Sequence, residues 1–289
     1  MTSPVRVTVA QVAVSDDHAA NREVVTDVAA AAARAGADLL VLPEYASGYD
    51  RRGVGIEHAE PLDGPFVTHL RALARDHGLA IVAGTTLPGT TPVAGVPRDG
   101  APGAGAPGGG APARLRAVNA VVAVAASGEL AGAYRKVHLY DAFGGRESDT
   151  LEPGPADAPP LTLPVGDLTF GVLTCYDLRF PEAARRVVDA GAQVLLVPAA
   201  WVAGPLKADH WRTLLRARAI ENTAVVIGVG MAGGGVTGRS LLVGPDGVVG
   251  LELGEAPDVR TVDLDPEPLA AERLRNPSLA NRRYRVVPA

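Results

Sequence analysis

The sequence predicts an α/β protein built as a four-layer α-β-β-α sandwich, and three observations carry that expectation. Strand-like and helix-like segments alternate from the first residues onward. Several strand-like segments are short and wholly apolar, as strands covered on both faces are. The order strand–helix–strand–helix–strand occurs twice, each time followed by hairpin strands, which suggests two similar sheets packed together with helices outside each.

The elements follow in order. Val5 to Val14 alternates through Val5, Val7 and Val9 and reads as a strand. Asp16 to Ala35 is Ala-rich and helical, closed by Gly36. Asp38 to Leu42 is a buried strand that delivers Pro43-Glu44-Tyr45 at its end. Phe66 to His77 is a helix stopped by Gly78, and Leu79 to Thr85 a third strand. Residues from about 88 to 113 are Gly/Pro/Ala-rich and read as a flexible insertion between strands, within a single domain spanning 1–289. Strands follow at Arg114 to Ala125 and at Leu130 to His138, the latter carrying Lys136. Leu161 to Val165 and Leu168 to Thr174 form a hairpin around Gly166-Asp167, and its second arm runs into Cys175. Pro181 to Ala190 is a helix opened by proline and closed by Gly191. Gln193 to Pro198 is a buried strand. Asp209 to Glu221 is a helix with Trp211, Leu214, Leu215 and Ala219 on one face, and Ala224 to Met231 another apolar strand. Leu241 to Val249 turns on Pro245-Asp246-Gly247, Thr261 to Asp265 is the last strand, and Pro266 to Arg275 a terminal helix before a basic tail.

Composition narrows the function classes. Of 289 residues, 47% are hydrophobic and 20% charged, enough to bury a sizeable core. The net charge of −5, with no Lys/Arg block, argues against nucleic acid or an anionic membrane as partner. Met-Thr-Ser-Pro lacks the basic and apolar regions of a signal peptide, and no apolar stretch approaches the roughly 18 residues of a membrane span. The single cysteine excludes an intramolecular disulfide and a cysteine-rich metal site. A cytoplasmic protein is the expectation.

That cysteine is the sharpest local feature. Cys175 follows a strand and precedes a helix, a turn at which a thiol is held rigidly and can face a pocket. To react it needs a nearby base or cation; otherwise a lone cysteine is a small buried hydrophobe. Glu44 ends an apolar strand, where ligand groups gather in α/β sheets, although taken by itself it reads better as a helix-capping or surface carboxylate. Lys136 stands between Arg135 and Val137, so alternation points one of the two basic residues inward; the alternative is an edge-strand lysine.

Taken together, Pro43-Glu44-Tyr45, Arg135-Lys136-Val137-His138-Leu139-Tyr140-Asp141 and Cys175-Tyr176-Asp177-Leu178-Arg179-Phe180-Pro181-Glu182 resemble, in order and context, the three motifs of the nitrilase (carbon–nitrogen hydrolase) superfamily. The resemblance continues through Gly191-Ala192-Gln193, His210-Trp211 and Arg216 to Asn222. It implies the same sandwich, a Glu44 general base, a Lys136 electrostatic stabiliser and a Cys175 nucleophile, without a metal or organic cofactor, and commonly a homodimer or higher homo-oligomer. It also implies a fourth acidic residue between the lysine and cysteine motifs. Glu147 in Gly145-Arg146-Glu147-Ser148 is the candidate, with Glu152 the weaker contender and an exposed loop glutamate the alternative. The Tyr176 N–H could be a second oxyanion donor.

The run Tyr176-Asp177-Leu178-Arg179-Phe180-Pro181-Glu182 resembles the amidase branch, which acts on ω-amides of keto acids and on deaminated glutathione. Gly238-Arg239-Ser240 departs from the Gly-His-Ser usual there, which leaves substrate identity open. The expected activity is hydrolysis of a small linear amide through a cysteine thioester, with nitrile or N-carbamoyl hydrolysis, or a catalytically silent binding protein, as alternatives. Arg179 is a candidate for a substrate carboxylate or for an internal ion pair, and Tyr45 and Trp201 are candidates to line the pocket. His138 could form a Cys–His pair of the papain kind, but reads better as a core histidine; His210 and Trp211 read as packing residues. Gly233-Gly234-Gly235 lacks the surroundings of a phosphate loop.

Overall fold

A computed structural model describes residues 3–93 and 115–289. Val5, Val7 and Val9 of β1 (Val5–Gln11) point to one core. α1 (His18–Arg34) is capped by Asp17, whose carboxylate accepts from the Ala19 and Ala20 N–H groups. β2 (Leu39–Val41) then pairs parallel to β1. α2 (Pro65–His77) ends at left-handed Gly78 and leads into β3 (Ala80–Pro92), parallel to β2. β4 (Leu115–Val124) and β5 (Leu130–Arg135) extend this sheet antiparallel.

The second sheet begins with the hairpin β6 (Thr162–Val165) and β7 (Leu168–Val172). α3 (Pro181–Asp189), β8 (Val194–Ala199), α4 (Lys207–Asn222) and β9 (Val225–Gly230) follow as parallel crossovers, and β10 (Leu241–Val243) and β11 (Val249–Glu252) close the edge. β12 (Asp258–Leu264) returns to the first sheet, antiparallel to β1, before α5 (Pro266–Arg275). The sheet orders are β12-β1-β2-β3-β4-β5 and β11-β10-β9-β8-β7-β6.

Alternation along each strand assigns the layers. Leu39 and Val41 meet Val194, Leu196, Val225 and Ile227 between the sheets, while Leu40 and Leu42 meet α1 and α2 through Val28, Phe66 and Leu70. Likewise Leu195 and Val197 face α3 and α4, against Val187, Trp211 and Leu215. The fold is therefore the expected α-β-β-α sandwich. Each fully buried Val, Leu or Phe contributes about 1.5–3 kcal/mol, so the inter-sheet layer is the main adhesive between the two halves. No helix among the described residues is long and apolar enough to cross a membrane.

Some boundaries differ from the sequence reading. The insertion does not begin at Pro88: β3 runs on to Pro92, with Pro88 opposite Ala117 and the Thr90 and Thr91 N–H groups bonded to the Glu152 carboxylate. The rest of that segment, from 94 to 113, lies outside the described residues. The strand carrying Lys136 stops at Arg135; the Lys136 N–H still reaches Asn119 O, but its carbonyl turns to the Gly154 N–H. α4 starts two residues before Asp209, after Leu206 in the left-handed conformation (φ 60°).

Candidate active site

β2 and β5 run the same way, because β4 is antiparallel to both β3 and β5. Their C-terminal ends therefore share one edge of the first sheet, and Glu44 and Lys136 follow those ends. Across the sandwich, Cys175 follows β7 and Ala200 follows β8. Glu44 is pinned from both sheets: Oε1 accepts from Asn119 Nδ2 at 2.7 Å and Lys136 Nζ at 3.0 Å, and Oε2 from the Ala200 N–H at 2.7 Å. The backbone comes close here, since a Cβ on Gly84 would sit 2.4 Å from Glu44 Cα.

Lys136 is fully buried and lies between two acids, donating to Glu44 and to both oxygens of Glu147 at 3.0 and 2.9 Å. Burial pulls the ammonium pKa down; the charges of Glu147 and Glu44 together outweigh it, and the net shift is well upward. Glu147 is fixed in turn by the Tyr45 hydroxyl, which donates at 3.1 Å, and by the Tyr140 N–H at 2.7 Å. Glu152 bonds the β3 backbone instead and touches none of these groups.

Cys175 opens a short 3-10 turn, Cys175–Arg179, with φ +47°, a strained value for a residue with a Cβ. A capping box holds the turn: Thr174 caps it and the Asp177 carboxylate accepts from the Thr174 N–H at 3.0 Å. Asp177 also accepts from the Tyr134 hydroxyl at 2.7 Å and bonds His138 Nδ1 at 2.8 Å. Burial, then the Glu44 charge, raise the thiol pKa well above its ordinary value, against the pull of Lys136. The resting group is thus a thiol that shares its cavity with Glu44. At the second position of the turn, the Tyr176 N–H has no carbonyl of the turn to bond.

Cys175, Glu44, Glu147, Tyr45, Tyr176 and Trp201 line one cavity of about 430 Å³. The structure thus brings these sequence candidates together, with Lys136 buried behind Glu44 and Glu147. Arg179 does not line it: its guanidinium lies 5.0 Å over the Trp201 ring and 5.4 Å over Phe143, beside His210 Nδ1 at 3.4 Å. No acid pairs with it among the described residues, so the internal ion pair is not what holds Arg179. His138 stacks on Phe180 and lines a separate cavity with Arg186 and Val287. Arg239 pairs with Glu255 at the surface. Trp211 is buried and donates to Arg239 O.

The sequence reading missed Asn119, Tyr140 and Lys207. Asn119 carried a signal, being the one strongly polar residue in the apolar run Ala117 to Val124. Lys207 did not, since its segment read as a loop. Among the described residues no grouping of three or more His, Cys, Asp or Glu side chains could hold a metal ion.

Comparison with known proteins agrees with this geometry. The family model Carbon-nitrogen hydrolase matches residues 6–273. The chain is 34% identical to the deaminated glutathione amidase of Escherichia coli O157:H7 over 95% of both chains. A mutant amidase from Nesterenkonia sp. AN1, with the acetamide moiety of fluoroacetamide covalently added at its active-site cysteine, superposes with TM-score 0.74 at 30% identity, covering 97% of this chain and 94% of that one. A CN-hydrolase superfamily protein from Xanthomonas campestris, carrying an arsenic adduct in its active site, superposes with TM-score 0.79 at 26% identity over 99% of both chains.

Proposed function

The chain belongs to the carbon–nitrogen hydrolase family, a hydrolase of non-peptide carbon–nitrogen bonds in the amidase branch, and on that premise we propose that it hydrolyses small linear amides through a thioester on Cys175. The single observation that carries the proposal is the junction of thiol, carboxylate and ammonium: Cys175 and Glu44 line one cavity, and Glu44 bonds Lys136 behind it.

Glu44 takes the thiol proton as the sulfur attacks the amide carbon. The carbonyl oxygen gains the charge; the Lys136 ammonium behind Glu44 stabilises it electrostatically, and the Tyr176 N–H donates a hydrogen bond to the oxygen. Glu44 returns the proton to the departing nitrogen, the C–N bond breaks, and ammonia or an amine leaves. Glu44 then draws a proton from water, the hydroxide attacks the thioester, and the acid leaves with Cys175 restored as thiol. Glu147 keeps Lys136 oriented, bonding it through both carboxylate oxygens. A cavity of about 430 Å³ suits a small molecule and no folded polypeptide.

A panel measuring ammonia release from amides, nitriles and N-carbamoyl compounds tests the reading, with intact mass to detect the acyl adduct on Cys175. Amide turnover with a trapped adduct supports it; nitrile turnover without amide turnover overturns it.

A further inference from the structure

Lys207, the first residue of α4, is a cation that the cavity leaves uncompensated. Its ammonium lines the cavity, donates to Tyr140 Oη at 2.7 Å and lies 3.8 Å from the centre of the Phe143 ring and 5.9 Å from that of Trp201. No carboxylate pairs with it among the described residues. Arg179, packed on the same Phe143 and Trp201 rings, has no carboxylate either. Two like charges thus share one aromatic setting, and burial, followed by the Arg179 charge, lowers the Lys207 pKa.

The other cations near the cavity differ. Arg52 is held by Asp50 at 2.6 Å and Arg146 by Asp149 at 3.3 Å, while Lys136 is engaged by Glu44 and Glu147. Arg51 lines the rim and is exposed. An ammonium largely removed from water beside a second cation is unfavourable until an anion joins it. The Tyr140 hydroxyl, having accepted from Lys207, keeps its own proton to donate to that anion.

We infer that Lys207 sets the charge of the substrate, binding a carboxylate carried at the end of the amide away from the scissile bond. The inference rests on the amidase reading and adds to it a specificity residue. Because Lys207 and Cys175 line one cavity, a short chain can place its carbonyl carbon at the sulfur and its carboxylate at the ammonium.

The test uses the length-matched amides succinamate and butyramide, anionic and neutral. The wild type is expected to prefer succinamate by at least about tenfold in kcat/KM, and Lys207→Met and Lys207→Gln to bring that ratio near one, chiefly through the KM for succinamate. Arg51→Ala keeps the preference. Lys207→Glu moves it toward the cationic 3-aminopropanamide, a gain that a merely structural lysine would not give. Equal loss on both amides in the Lys207 variants, or loss of the preference in Arg51→Ala instead, overturns the assignment, as does a wild type without the preference. If no amide is hydrolysed, the amidase reading falls and calorimetry with succinate decides on Lys207. Binding to the wild type that Lys207→Met abolishes supports the anion site; absent or equal binding overturns it.

Discussion

Replacing Lys136 by methionine tests the central ion triad most severely. The change keeps an unbranched side chain of similar reach but removes the charge that holds the Glu44 and Glu147 carboxylates together. Removing one partner of a buried pair costs about 3–5 kcal/mol, and the lower end applies here because the Glu147 side chain retains 20% exposure. With 289 residues the unfolding entropy is about 0.6 kcal/mol per kelvin, so Tm should fall by about 5 °C. The pH dependence supplies a sharper sign. In the wild type the Lys136 pKa is raised above its unfolded value, so its contribution is fully present below about pH 10.4 and is lost only as pH rises through the folded value. Between pH 5.5 and 8 this residue therefore adds no slope. In Lys136→Met the facing carboxylates relieve their repulsion by binding a proton in the native state, so stability falls as pH rises. Calorimetric melts at pH 5.5 and 8 of the wild type, Lys136→Met and Lys136→Met/Glu147→Gln provide the assay. The single variant should show its larger deficit at pH 8, and the double variant should recover part of it. An equal deficit at both pH values, with no recovery in the double variant, would refute the reasoning.

Glu44→Gln should cut amide turnover by about three orders of magnitude, yet move the midpoint of iodoacetamide alkylation of Cys175 to lower pH, because the Glu44 charge adds to burial in holding the thiol pKa up; an unmoved or higher midpoint counts against the base assignment. Gly84→Ala drives a Cβ into the Glu44 backbone and should cost about 1–3 kcal/mol by thermal melt and about a hundredfold in kcat/KM, since displaced catalytic groups lose rate steeply. His138→Ala leaves Asp177 bonded to the Thr174 N–H and Tyr134, so kcat/KM should fall by about tenfold or less, whereas a Cys–His mechanism demands abolition.

The layers were legible because a strand buried on both faces has no polar side to interrupt it: Leu39-Leu40-Val41 supplies the inter-sheet core and the helix-facing core in turn. Glu44 and Cys175 were legible as strand-end residues and Lys136 as an inward lysine within a strand, but how they meet was not, since the Lys136–Glu44 bond joins positions 92 apart in sequence and the Ala200 N–H reaches Glu44 across 156. Asn119 is polar in an apolar strand, a visible signal whose meaning depended on a partner 75 residues away. Lys207 was hidden by local backbone: Leu206 in a left-handed conformation has no sequence signature, and the helix it opens was read as starting later.

The return of β12 to the first sheet ties folding order to the site. Val5 to Gln11 pair with Asp258 to Leu264, and the Gln11 amide also donates to the Gly254 and Ala256 carbonyls. β1 thus has an unfilled edge until Leu264 has been synthesised, and Glu44 follows the end of its neighbour β2. Closing so long a loop makes this pairing a slow, non-local step. A ribosome-bound chain released before β12 would present β1 as an open template for other chains, and the hydrolytic centre would mature only once that edge is sealed.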